Sequence, residues 1–228
     1  MAGWDTANPS TKPSALMEEA GLAPGSIKTL ILVPHGSLSD WREWRDWFYT
    51  RLQKPEGTYW LETRGQALCT ARNYLVKQAL ETSAERFLFL DDDVIAPDDS
   101  LISMVQTNFP IVCGLYMAKK AKGDRGLAAW QKNPHGTGYL PIDPKQNGRY
   151  VSVDVTGMGF ALIHRSVFEK VSYPWFDWPV EGPSEDFWFF EKAAREIGVK
   201  PVIDREVSCL HIGIFTVDCN DEFSIMPK

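Results

Sequence analysis

The chain has 228 residues, 44% of them hydrophobic and 24% charged, ordinary globular values that exclude wholesale disorder and suffice for one domain with a sizeable core. A net charge of -6 leaves no electrostatic footprint for nucleic acid or an anionic membrane, although a local basic groove stays compatible with it. Cys69, Cys113, Cys209 and Cys219 are widely spaced with no C-x-x-C, the pattern of reduced thiols in an intracellular protein. Without a secretory-type N-terminus or an apolar run of membrane-spanning length, the expectation is a cytoplasmic protein with no membrane span.

Residues 1 to about 25 are rich in Pro, Ser and Gly and predict a loose arm, with one or two helical turns between Pro13 and Gly21. Ile27 to Val33 predicts a buried strand, and Pro34-His35-Gly36 a turn with a solvated histidine that stays outside the site. Ser39 is a plausible N-cap for a helix to about Leu52, whose stripe of Trp41, Trp44, Phe48 and Leu52 reads as core. A short strand from Thr58 to Leu61 and a helix from Gly65 to Leu80 follow, the helix carrying Arg72 and Asn73.

Phe87, Leu88, Phe89 and Leu90 form a continuous apolar run, the pattern of a strand buried on both faces. Asp91, Asp92 and Asp93 follow at once, and Pro97 ends any regular extension. Adjacent carboxylates at a strand's C-terminal end lie where open α/β sheets bind ligands, and their hard oxygens suit Mg²⁺ or Mn²⁺. Three in a row repel one another unless a cation or donors compensate. A calcium loop fails on spacing, because Ile95 falls at its fifth position and no glycine follows. A polar turn leading into the next helix is the plainer alternative.

A helix from Asp99 to Asn108 and a strand from Ile111 to Tyr116 continue the alternation that argues for a mostly parallel, doubly wound sheet. Residues 118–150 read as a long loop, where Lys119, Lys120, Lys122 and Arg125 form either a phosphate-holding run or a solvated face. Tyr150 to Val155 alternates as a strand. Gly157 and Gly159 then flank Met158, a spacing that lets backbone pass close to a ligand. An apolar segment, Ala161 to Ile163, precedes a short helix from Ser166, and Tyr173 to Pro179 forms an aromatic loop. Ser184 can cap a helix to about Ile197 whose first turn carries Glu185 and Asp186, acids that the helix dipole alone would favour. Two last strands, Pro201 to Ile203 and Val207 to Leu210, end at His211, and the tail is uninformative.

Four ordered blocks, TARNYLV at 70–76, FLFLDDDV at 87–94, TGMGFALIHRSVFEKV at 156–171 and the SED-led helix at 184–198, resemble the nucleotide-sugar glycosyltransferases of the GT-A fold, closest to the inverting family 2 group. The resemblance covers about Ile27 to Gly213. It implies an α/β fold with a mostly parallel, Rossmann-like central sheet flanked by helices, and a smaller mixed sheet on the acceptor side. Residues 1–25 would be a flexible arm and 26–215 a single catalytic domain, with 26–117 as the donor and metal half, 118–215 as the acceptor and catalytic half, and 216–228 as a tail. The resemblance further implies a UDP- or GDP-type nucleotide-sugar donor held by Arg72, Asp91, Asp92, Gly157 and Gly159. Asp91, Asp93 and His211 would hold Mn²⁺ or Mg²⁺ on the diphosphate, and Asp186, or less readily Glu185, would be the base for the acceptor hydroxyl. Trp175, Phe176 and Trp178 are candidates for an acceptor wall, with core packing as the alternative.

The chain departs from the family in lacking the Q-x-x-R-W segment of processive synthases and in having LVPHGS at 32–37 in place of the usual nucleotide pocket. Acidic charge argues against bare nucleic acid as acceptor while leaving open a modified base in viral DNA. Other readings are a retaining transferase, in which Asp186 only positions substrate, a nucleotidyltransferase, and a non-catalytic carbohydrate-binding protein.

Overall fold

The computed structural model describes residues 3–5, 26–36, 41–118, 126–143, 148–178, 184–217 and 223–226, with side chains excepted in 3–5, 214–217 and 223–226. Eight strands form the main sheet, in the spatial order β1 (Gly3–Asp5), β3 (Thr58–Arg64), β2 (Thr29–His35), β4 (Arg86–Leu90), β11 (Phe160–His164), β6 (Ile111–Leu115), β12 (Val202–Ser208) and β9 (Tyr150–Ser152). The β1–β3, β3–β2, β2–β4 and β6–β12 pairings are parallel. β11 runs antiparallel to both its neighbours, as β9 does to β12. Because β11 lies between β4 and β6, the two expected halves share one sheet. A small antiparallel sheet of β10 (Val155–Thr156), β7 (Ala129–Lys132) and β8 (Tyr139–Pro141) stands apart from it.

The apolar run of β4 explains the layering. Successive side chains of a strand point to opposite faces. Phe87 and Phe89 therefore join one fully buried cluster, with Phe168 of α4 (Arg165–Lys170) and Phe189 and Phe190 of α5 (Glu185–Ile197). Leu88 and Leu90 join the other, with Trp44, Trp47 and Phe48 of α1 (Arg42–Thr50) and Leu101 and Met104 of α3 (Ser100–Val105). α2 (Leu68–Leu80) packs on the first face through Leu75, Val76 and Ala79. The tryptophan stripe of α1 is core, as its spacing predicts.

Several expected boundaries move. β2 runs through Pro34 and His35 rather than turning there, because both still pair with β3, at Thr63 and Arg64. Pro34 lies beyond the last pairing with β4, Leu32 to Phe89, where its missing N–H leaves that ladder intact. The single strand expected from Tyr150 to Val155 is two: β9 joins the main sheet and β10 the small one. The two strands expected after Pro201 are one continuous β12 with a register shift between Asp204 and Ser208. Residues 3–5, expected in the loose arm, form β1 at the sheet edge. Part of the tail pairs as a hairpin of β14 (Ile214–Val217) and β15 (Phe223–Met226). The Pro13–Gly21 turns, the Ser39 cap, Cys219 and the run of Lys119, Lys120, Lys122 and Arg125 lie outside the described residues. Among the described residues no helix is long and apolar enough to cross a membrane.

Candidate functional site

A two-residue pairing brings the late histidine to the aspartates. β5 (Val94–Ile95) pairs antiparallel with β13 (Leu210–His211), which sets His211 opposite Val94, one residue beyond Asp93. The Ile212 N–H donates to the Asp93 carbonyl at 2.7 Å and locks this register. His211 Nε2 then lies 3.5 Å from Asp93 Oδ1.

The other ring nitrogen, Nδ1, is 2.9 Å from the Met117 carbonyl oxygen. A carbonyl only accepts, so Nδ1 carries a proton, and a neutral ring would turn the Nε2 lone pair toward the Asp93 carboxylate. That facing is favourable only with a proton or a cation between the two groups. Neighbouring ligands of one octahedral Mg²⁺-sized ion, each at about 2.1 Å, sit about 3 Å apart, so the Asp93–His211 pair at 3.5 Å would have to close by about 0.5 Å on such an ion. A histidine bonded through its far nitrogen to a backbone carbonyl is also the usual orientation for a metal ligand. Among the described residues no group of three or more His, Cys, Asp or Glu is arranged to hold a metal ion. The pair fits a cation that draws its remaining ligands from substrate oxygens and water.

Asp91, the third expected ligand, is engaged elsewhere. Arg72, 1% exposed on the buried face of α2, directs Nη2 at Asp91 Oδ1 and Oδ2 at 3.0 and 3.3 Å. Its Nη1 donates to Glu185 Oε1 at 2.6 Å and to Asp186 Oδ1. One guanidinium therefore joins the aspartate strand to the first turn of α5. Ser184 caps that turn, its hydroxyl accepting from the Phe187 N–H, and Gly198 closes the helix in the left-handed conformation at φ 68°. Burial alone would lower the proton affinity of Arg72, but the carboxylates of Asp186, Asp91 and Glu185 outweigh it and hold the guanidinium charged.

Three carboxylates around one cation leave an excess of negative charge. Burial pushes Asp186 up to about 7, Arg72 opposes this, and Glu185 and Asp91 add to the rise. Asp91 is also raised, by burial first, against the pull of Arg72. Asp186 keeps 19% of its side chain exposed, whereas Glu185 keeps 4%, so Asp186 is the more accessible acid of the pair. The Met158 N–H donates to Asp186 Oδ2 at 3.3 Å and helps orient it.

Arg72, expected at the donor, has both Nη atoms committed to carboxylates. Asp92 turns away from Asp91 and Asp93: it is 5% exposed and lies 3.5 Å from His35 Nδ1. His35 in turn contacts Glu62 at 3.1 Å and is 1% exposed, so it is neither a turn residue nor solvated. Gly157 and Gly159 leave space, but Tyr116 fills it. A Cβ on Gly157 would stand 2.1 Å from the Tyr116 hydroxyl, and one on Gly159 would stand 3.0 Å from it. The Tyr116 hydroxyl accepts from the Gly159 N–H at 2.9 Å, and its ring meets His211 edge-on at 5.1 Å.

The expected aromatic wall also changes. Trp175 is 7% and Phe176 1% exposed, their faces covered by core neighbours such as Phe168 and Phe189. Only Trp178, 60% exposed, presents its ring to solvent. The sequence reading keeps His35 outside the site and does not single out Glu62 or Tyr116. His35 ends β2 and Tyr116 follows β6, at the strand ends where α/β sheets bind ligands, whereas Glu62 lies two residues before the end of β3 and no local signal marks it.

No family model and no curated protein matches the chain. Among solved structures, A197 from STIV is similar with a TM-score of 0.60 and 18% identity, over 89% of this chain and 95% of that one. GalNAc-T7, solved with UDP, GalNAc and Mn²⁺, is similar with a TM-score of 0.51 and 11% identity, over 84% of this chain and 45% of that one. At such identities the likeness concerns the fold. The chain has a GT-A-like, Rossmann-type α/β architecture, with a mostly parallel central sheet between layers of helices.

Proposed function

We propose that the protein is a metal-dependent glycosyltransferase that moves a sugar from a UDP- or GDP-type donor to an acceptor hydroxyl with inversion. The observation that carries this reading is the convergence of Arg72, Asp93, Asp186 and His211, distant in sequence, at the sheet edge where α/β folds bind ligands. A solved neighbour that binds UDP, GalNAc and Mn²⁺ on a similar fold supports the donor class.

The chemistry divides between two sides. Asp93 and His211 are the residues that would hold a divalent cation, which when bound supplies positive charge against the leaving diphosphate. Asp186 accepts the proton of the acceptor hydroxyl as its oxygen attacks the anomeric carbon. A base with a pKa near 7 is ionised often enough to act and basic enough to take the proton. Arg72 restrains the rise of Asp186 and keeps Asp91 beside it. Base on one face and leaving group on the other describe in-line displacement. A retaining transferase would use the same fold, and the anomer of the product separates the two.

The test is thermal stability against UDP, GDP and their sugar conjugates, with and without Mn²⁺. A ligand at a hundredfold excess over its Kd stabilises the native state by about 2.7 kcal/mol. One nucleotide class should stabilise in a Mn²⁺-dependent manner, with the shift lost in Asp93→Ala and His211→Ala. Absence of any shift at millimolar nucleotide and metal would remove the transferase reading in favour of a binding module.

A further inference from the structure

The acceptor side of this reading has a second feature, a groove of about 390 Å³ between α2 and the aromatic loop. One wall is a single helical face formed by Cys69, Thr70, Tyr74 and Lys77, and the other carries Tyr173 and Asp177. Tyr173 is 56% exposed, with Lys77 Nζ 4.1 Å from its ring centroid. The exposed ring of Trp178 follows directly after Asp177.

One end of the groove adjoins the Arg72 cluster: Cys69 stands one helical turn before Arg72, and the ring of Phe176, which lines the groove, has its centroid 5.9 Å from the Arg72 guanidinium carbon. The loop wall is also fixed. Asn73 Nδ2 donates to the Phe176 carbonyl at 2.6 Å, and its Oδ1 accepts from the Trp175 and Phe176 N–H groups at 3.1 and 3.2 Å. A wall held in place before binding avoids the ordering cost that a loose loop would incur.

Resting on the glycosyltransferase reading, we propose that this groove binds the acceptor and that the acceptor is a saccharide. The lining offers the phenols of Tyr74 and Tyr173, the Thr70 hydroxyl, the Cys69 thiol, one ammonium and one carboxylate. Opposite charges of equal number favour a neutral polar ligand over an acidic or basic one. A flat aromatic surface beside mixed donors and acceptors matches a sugar ring, which has an apolar C–H face and an edge of hydroxyls. A saccharide seated at the Cys69 end would lie beside the Arg72 cluster, on the side of the acids of α5.

The experiment is saturation-transfer NMR on the full chain with Mn²⁺ and UDP or GDP, using the methyl glycosides of glucose, galactose, mannose and N-acetylglucosamine and, separately, a serine-containing peptide. At least one glycoside should take up saturation. Its signal should weaken about fivefold or more in Tyr173→Ala and in Thr70→Trp, which removes the ring or fills the groove, with the nucleotide signal unchanged. Both substituted residues are exposed, so folding is preserved. Nucleotide binding without any glycoside signal, glycoside signals indifferent to both substitutions, or saturation of the peptide alone would each overturn the saccharide groove and leave the donor reading standing. Loss of nucleotide binding in the unmodified protein would overturn both.

Discussion

Arg72 is the residue on which the candidate site turns, because its guanidinium is the cation shared by Asp91, Glu185 and Asp186. Replacing it with Met strands three carboxylates in a site built around a charge. Removing one partner of a buried ion pair typically costs about 3–5 kcal/mol. Urea unfolding of Arg72→Met should show a loss of that size, and Arg72→Lys should recover only part of it, since one ammonium cannot reproduce the planar fork.

Asp186 behaves in the opposite sense. Its carboxyl is raised in the folded state to about 7, from an unfolded value of about 3.9. Between these values the folded chain holds a proton that the unfolded chain has lost, so this group's contribution to stability declines as pH rises from about 4 to about 7. Asp186→Asn should therefore raise the melting temperature at pH 8 by relieving about 1 kcal/mol or more of repulsion. In a transfer assay the same substitution should lower kcat by about 10²–10⁴-fold. If Asp186 is the base proposed above, transfer by the unmodified protein should rise with pH through about 7, where its carboxyl ionises. A melting temperature at pH 8 that is unchanged or lower in Asp186→Asn would contradict the account of excess negative charge.

At the scale of elements, the pieces that place the site differ in how readable they are. The buried strand β4 and its terminal aspartates follow from an uninterrupted apolar run and three adjacent acids. α5 follows from a capping serine, acids in the first turn and a closing glycine. Those signals are local, and the structure keeps them. The roles of Arg72, Asp92, His35 and the glycines are set by contacts across long sequence separations, such as Arg72 with Asp186 and Gly157 with Tyr116. No spacing in the chain encodes such partners.

The glycine pair illustrates the difference. Its small size accommodates Tyr116, so Gly157→Ala should overpack the connection between β10 and β11 and cost about 1–3 kcal/mol in denaturant unfolding. Tyr116→Phe removes the atom nearest the new methyl group and should return part of that loss, which a double-mutant cycle would register as coupling. Additive costs would mean that Tyr116 is not what the glycine accommodates. His211 depends on an element that no apolar pattern announces, the two-residue pairing of β5 with β13.

At the scale of the whole molecule, the order of the main sheet creates the edge on which the account rests. β2, β3 and β4 run parallel and deliver His35, Arg64 and Asp91 in the same direction. The antiparallel β11 then fills the gap before β6, and β12 leads on to β13 and His211. Asp186 on α5 reaches the same edge from one helical layer, while α1 and α3 cover the other face, α1 setting Trp44 edge-on to His35. In the proposed function this edge holds a divalent cation through Asp93 and His211 together with a nucleotide diphosphate. Electron paramagnetic resonance of Mn²⁺ titrated into the protein with UDP or GDP reads that binding without any turnover. Free Mn²⁺ signal should fall with one nucleotide class in the unmodified protein and in Asp186→Asn, and should persist in Asp93→Ala and His211→Ala. Binding retained in both alanine variants, or no nucleotide-dependent binding in the unmodified protein, would contradict it.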